Sequence, residues 1–69
     1  MLVNRIKLAR IKKGLTQQEL ADIVEVARQT IGLIEANNYN PTIALCLKIC
    51  KALEQSLDDL FWPEETNED

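Results

Sequence analysis

Hydrophobic residues recur along the chain at intervals of three and four positions, and this spacing predicts helices joined by short turns. The predicted helices cover residues 2–13, 17–23, 28–36, 43–53 and 57–61. Residues 43–53 are apolar on nearly every side, which is typical of a central, buried helix. The pattern therefore predicts an all-α fold of five helices without strands.

Capping signals support these bounds. The segment TQQE, from Thr16 to Glu19, is a capping box that starts the second helix. Gly14 suits the left-handed position that follows the first helix, and Thr42 and Ser56 can cap the last two helices.

The third predicted helix has an unusual outer side. Its inner side carries isoleucines, whereas its outer side carries Arg28, Gln29, Gly32 and Leu33. A surface that served only solubility would carry Lys and Glu. We therefore expect a partner to approach this side closely.

Composition and charge narrow the choice of partner. The 69 residues form one domain, and the net charge of −3 argues mildly against nucleic acid. However, residues 1–13 carry only basic charges, whereas residues 41–69 are mostly acidic. Such polarity can present a positive face to DNA. The sequence shows neither a signal peptide nor a membrane-spanning run, so we expect a cytoplasmic protein without a membrane partner.

Little in the sequence supports catalysis or a cofactor. Histidine is absent, and no nucleophile beside a base or glycine-rich phosphate loop is recognisable. Cys46 and Cys50 lie one helical turn apart, which suits neither a disulfide nor a four-ligand zinc site. We predict a non-enzyme with two buried thiols and no metal; a redox-responsive module is an alternative.

Two short helices joined by a tight turn form a helix-turn-helix unit. The segment TQQELADIVEVARQTIGLIEANNYNPT resembles the Cro/repressor-type (XRE-like) transcriptional regulators. The resemblance extends through NRIKLARIKKGL, LCLKICKAL and SLDDLF, over about residues 4–61. It implies a compact five-helix bundle of the lambda-repressor-like DNA-binding type. We assign residues 1–62 to this domain, about 16–37 to its helix-turn-helix unit, and 63–69 to an acidic tail.

In such units the second helix lies in the DNA major groove. Gln29 can pair with adenine, Arg28 with guanine or a phosphate, and Leu33 can contact a thymine methyl. Thr30 lies at the edge of this face and can contact a base or a phosphate, and Gly32 removes bulk. Each assignment has an alternative. Gln29 is merely solvated, Arg28 meets only phosphate or solvent, Leu33 is exposed by accident or contacts protein, and Thr30 is an ordinary surface residue.

Phosphate contacts are expected at the start of the second helix, where backbone amides point outward, and in the loop after the third helix. The candidate residues are Gln17, Gln18, Lys13, Asn38, Tyr39 and Asn40. Loop capping by the asparagines and packing by Tyr39 are structural alternatives. The resemblance also implies a structural ion pair between Arg10 and Glu35.

Two positions depart from the family pattern. Glu25 stands where Gly is usual, because the turn needs a positive φ, and Ala27 stands where Ser or Thr usually caps the recognition helix. These departures favour weaker nonspecific affinity for DNA than usual, or a partner other than DNA.

The resemblance implies a repressor that binds a two-fold operator in double-stranded DNA as a homodimer. We expect the dimer interface at Leu57, Phe61 and Trp62, with a Leu8–Ile11 patch as the competing surface. The alternative function is an antitoxin-like or adaptor module whose main partner is another protein. No small-molecule effector is expected.

Overall fold

The computed structural model describes residues 2–63, which contain five helices and one pair of short strands. The helices are α1 (Ile6–Lys12), α2 (Gln17–Val24), α3 (Arg28–Glu35), α4 (Ile43–Leu53) and α5 (Leu57–Leu60). The strands are β1 (Leu2–Asn4) and β2 (Phe61–Pro63). The prediction of five helices is confirmed. Residues 64–69 of the predicted acidic tail and the side chain of Trp62 lie outside the described part of the chain.

The prediction of no strands was wrong at the two ends of the described chain. β1 and β2 pair antiparallel, with Leu2 opposite Pro63 and Asn4 opposite Phe61. Val3 is β-branched and β2 is aromatic, and both residue types favour strands over helices. As a result, α1 begins at Ile6 rather than at residue 2.

Every helix contributes to one hydrophobic core. The buried apolar residues are Ile6, Leu20, Ala21, Val24, Ile31, Ile34, Cys46, Ile49, Cys50, Leu53, Leu60 and Phe61. α2 packs against both α3 and α4, and α4 packs against α5. This arrangement packs the predicted helix-turn-helix pair, α2 and α3, against each other and into the common core.

Four helices end at a residue with a left-handed backbone. These residues are Gly14 (φ 77°), Glu25 (φ 63°), Asn37 (φ 62°) and Glu54 (φ 57°). At Glu25, the Val26 N–H donates to the Ala21 carbonyl at 3.0 Å, which is the bond expected of a Schellman ending. The positive φ expected at Glu25 is therefore present. Ala27, which starts α3, makes no side-chain capping bond.

α4 is less buried than its sequence indicates. Its inner side packs in the core, but Ile43 is 69% exposed and Leu47 is 52% exposed. The prediction of a helix buried on nearly all sides was wrong, because the described neighbours of α4 cover only one side of it. Among the described residues, no helix has the length and hydropathy needed to cross a bilayer.

Candidate nucleic-acid interface

α3 presents the side that the sequence analysis assigned to a partner. Its Ile31 and Ile34 are buried, whereas Arg28, Gln29 and Leu33 are exposed. Thr30 and Gly32 are half-buried at the edge of this surface. A Cβ atom at Gly32 would lie 3.9 Å from Nε2 of Gln17, which is ordinary van der Waals contact. Packing therefore tolerates a larger residue at position 32. The main effect of the glycine is that no side chain projects from α3 at this point.

The ion pair between Arg10 and Glu35 is present and shielded from solvent. Arg10 Nε donates to Glu35 Oε2 at 2.7 Å, and Arg10 Nη2 donates to Glu35 Oε1 at 3.2 Å. The two side chains are only 9% and 4% exposed. Arg10 Nη1 also donates to the Leu15 carbonyl at 2.8 Å. This pair joins α1, the turn after it and the end of α3.

Gln17 extends this pair to the surface. Its Nε2 donates to Glu35 Oε1 at 3.0 Å, and its Oε1 accepts from Arg28 Nη1 at 3.1 Å. A carboxylate only accepts hydrogen bonds, so Glu35 fixes which end of the Gln17 amide faces inward. The carbonyl end is therefore held toward Arg28. The sequence pattern indicates a DNA contact for Gln17 and for Arg28 separately, but not the bond between them.

The start of α2 is ordered by its own side chains. The Glu19 N–H donates to Thr16 Oγ1 at 3.0 Å, and the Thr16 N–H donates to Glu19 Oε1 at 2.8 Å, so the predicted capping box is present. Gln18 Nε2 donates to Asp22 Oδ1 at 2.8 Å, along the exposed side of the same helix.

The loop after α3 is exposed. Asn38, Tyr39 and Asn40 are all accessible, and Tyr39 is 44% exposed, which argues against a mainly packing role for its ring. The Asn38 N–H donates to the Leu33 carbonyl at 2.8 Å and anchors the start of the loop. Lys13, by contrast, has its ammonium 2.9 Å from Glu54 Oε2, at the end of α4.

Asn4 is a residue of this region that sequence analysis missed. Its Nδ2 donates at 2.8 Å to the Ile34 carbonyl and at 2.8 Å to Asn37 Oδ1. Its Oδ1 accepts from the Ile6 N–H at 3.0 Å. An asparagine shortly before a helix signals capping, but nothing in the local sequence indicates the contact with α3, 30 residues away.

The predicted dimer residues lie in different environments. Leu57 is 36% exposed, but Phe61 is only 9% exposed and belongs to the core of its own chain. Phe61 must therefore be removed from the predicted interface, because its ring is already covered. Leu8 and Ile11 are 57% and 56% exposed, as their competing patch requires.

Both cysteine thiols are free and buried, as predicted. Burial raises the pKa of Cys46 and of Cys50 above the ordinary value; the neighbouring Cys50 adds to the first shift, and Asp59 adds to the second. A raised pKa and burial both reduce thiolate reactivity, which disfavours the redox alternative. The described residues contain no cluster of three or more His, Cys, Asp or Glu that could hold a metal ion.

Comparison with known proteins gives consistent matches. A helix-turn-helix family model matches residues 6–60. YgzD, an uncharacterised HTH-type transcriptional regulator of Bacillus subtilis (strain 168), is 44% identical over 64 residues, which cover 93% of this chain and 97% of YgzD. Antitoxin HipB of Escherichia coli (strain K12) is 39% identical over 56 residues, which cover 81% of this chain and 64% of HipB.

Solved structures agree with these matches. The N-terminal DNA binding domain of SinR from Bacillus subtilis is 36% identical, with a TM-score of 0.72, over 78% of this chain and 80% of that domain. SinR in complex with DNA, described as the master regulator for biofilm formation, gives a TM-score of 0.73 at 36% identity, over 78% of this chain and 87% of that one.

Proposed function

The chain belongs to the helix-turn-helix family of the Cro/repressor (XRE-like) type, and from this premise we propose that it is a repressor that reads a two-fold DNA operator as a homodimer. In this proposal α3 enters the major groove, and the two subunits place their α3 helices about one helical turn of DNA apart. Occlusion of a promoter by the bound dimer then blocks transcription.

One observation carries the proposal: Arg28 is held at the exposed start of α3 by Gln17, which is held in turn by buried Glu35. A guanidinium that is already oriented loses less rotamer freedom when it binds a base or a phosphate. Beside it, exposed Gln29 has the amide geometry that pairs with adenine N6 and N7. Thr30 and Leu33 complete the proposed base-reading surface.

Phosphate contacts are proposed on both sides of this surface. The backbone amides at the start of α2 and the helix dipole attract an anion there. Gln17 has a second amide N–H available for a phosphate, and Gln18 lies beside it. Asn38, Tyr39 and Asn40 are the proposed contacts beyond the other end of α3. Lys13 contributes at longer range, because Glu54 is its immediate partner.

Selection of duplexes from a random DNA library by the purified chain tests this function. The unchanged protein should enrich an inverted repeat, and Gln29→Ala should lose the enrichment because the adenine-reading amide is gone. Gln55→Ala is the matched control, since Gln55 is an exposed glutamine in the turn between α4 and α5, outside α2 and α3. A folded protein that enriches no sequence would contradict the proposal.

A protein-binding module of the antitoxin type is the second candidate. Two observations favour it: the exposed apolar pair Ile43 and Leu47 on α4, and the similarity to antitoxin HipB. Exposed apolar surface is typical of protein contacts.

In the homodimer proposal, Leu57 and Trp62 form the interface, and Leu57→Glu should shift the sedimenting species from dimer to monomer. A variant that remains a dimer would show that the interface lies on another exposed apolar surface.

A further inference from the structure

We propose that Asn4, which lies outside the helix-turn-helix unit, is a positioning residue for DNA recognition. Through its side chain, β1 holds the C-terminal end of α3 and the loop that follows it. This inference rests on the proposed function, because it assigns Asn4 a part in the same DNA contact.

The side chain of Asn4 joins three parts of the fold at once. Its oxygen accepts from the Ile6 N–H at the start of α1, and its nitrogen donates to the Ile34 carbonyl and to Asn37 Oδ1. Its backbone is paired with Phe61 in β2. Because both amide hydrogens and the oxygen have partners, the orientation of this half-buried side chain is fixed.

Asn37 is the residue through which Asn4 acts on the loop. It has a left-handed backbone, with φ 62°, and its N–H donates to the Ile34 carbonyl at 3.0 Å. The Ile34 carbonyl therefore accepts from both Asn37 and Asn4, so the two bonds fix the point where the chain leaves α3. The loop of Asn38, Tyr39 and Asn40, which we propose to contact phosphate, starts at this point.

Specific binding needs this loop in a fixed place. Base contacts at the start of α3 and phosphate contacts beyond its end must fit one rigid duplex at the same time. Nonspecific binding depends on charge and tolerates many registers. A loosened loop should therefore weaken operator binding more than binding to an unrelated duplex.

Three variants of the full chain separate positioning from folding. Asn37→Gly keeps a left-handed backbone but removes the acceptor for Asn4. Asn4→Ser keeps an oxygen that can accept from the Ile6 N–H, but its side chain is too short to reach Ile34. Asn37→Asp is the conservative variant, because it keeps the acceptor and tolerates a positive φ. The readout is the ratio of affinities for the selected operator and for a scrambled duplex, measured beside urea unfolding.

We expect Asn37→Gly and Asn4→Ser to lower this ratio by about three- to tenfold, the effect of losing a hydrogen bond that operator binding requires. Asn37→Asp should keep the ratio, since its added charge acts on both duplexes alike. In the double variant Asn4→Ser/Asn37→Gly the affinity ratio should fall no further than in Asn4→Ser, because both changes break the same link.

Two results would overturn the inference while leaving the proposed function intact. One is that the unchanged chain selects an operator but every variant keeps the same affinity ratio as the unchanged chain. The other is an equal fall in both affinities that follows the folded fraction, which would make Asn4 purely structural. An unchanged chain that selects no operator would instead overturn the proposed function, and this inference with it.

Discussion

At the scale of single residues, the left-handed helix endings show where the sequence departs from the best local choice. Gly14 and Asn37 are residue types that adopt a positive φ readily, but Glu25 and Glu54 are not. Glu25 lies in the turn between α2 and α3, and its carboxylate is 3.4 Å from the Lys48 ammonium. Both side chains of this pair are more than half exposed, at 76% and 54%, so the ion pair offsets little of the backbone strain.

Glu25→Gly should therefore stabilise the fold. We expect the free energy of unfolding in urea to rise by about 0.5–1 kcal/mol, because relief of strain exceeds the flexibility that glycine adds to the unfolded chain. Glu25→Gln is the control, since it removes the charge but keeps the strained backbone, and it should change stability little. A loss of stability in both variants would show that the Lys48 pair outweighs the strain, whereas a loss in the glycine variant alone would show that the flexibility of glycine does.

At the scale of elements, α3 lacks a side-chain cap at its N-terminal end. Ala27 has the extended backbone of a helix-capping residue (φ −71°, ψ 149°) but no side-chain oxygen. Thr16, Thr42 and Ser56 each supply such an oxygen at the start of their own helices. Of the four described helices that follow α1, only α3, the helix proposed to read DNA, starts without a side-chain cap.

Ala27→Ser should supply the missing cap. Its hydroxyl can accept from the backbone N–H of Thr30, and such caps typically add about 1 kcal/mol to the free energy of unfolding. Thermal or urea unfolding measures this gain. Ala36→Ser is the matched control, because it places the same exposed hydroxyl at the opposite end of α3, where it caps no amide. Equal stabilisation by the two variants would exclude capping as the cause.

The elements of this fold are more predictable from the sequence than the bonds that link them. The helical spacing and caps identified all five helices, and the family model confirms the resemblance. Local spacing does not determine which side chains meet across elements, so the bonds of Asn4 with Ile34 and of Gln17 with Arg28 could not be read from it. β1 and β2 were missed for the same reason: each is three residues long and pairs with a strand that is far away in the sequence.

At the scale of the whole molecule, the distribution of charge matters more than its sum. The chain has a net charge of −3, and some of its cations already have anionic partners within the fold, such as Arg10, Lys13 and Lys48. Arg28, by contrast, is held by a neutral amide and keeps its full charge for a phosphate or a base. DNA binding should therefore depend on a few well-placed cations.

The salt dependence of DNA binding measures how many phosphates these cations neutralise. Affinity should fall linearly on a log–log plot, with a slope of about −0.9 for each neutralised phosphate. If Arg28 contacts a phosphate, Arg28→Gln should reduce the slope by about 0.9 in each subunit. Lys12→Gln is the charge-matched control, because Lys12 lies on α1 in the groove that faces α5. An affinity that hardly responds to salt would favour the protein-binding candidate instead.

The pairing of β1 with β2 also determines how the fold responds to mechanical force. Leu2 and Pro63 are opposite each other, so tension applied through the two chain ends pulls the ribbon open like a zipper, one residue pair at a time. Asn4 is the last residue of β1 to separate, and it carries the bonds to Ile34 and Asn37. Under tension, the link between β1 and α3 would therefore break before the buried core opens, and the proposed discrimination between DNA sequences would be lost at a lower force than the fold.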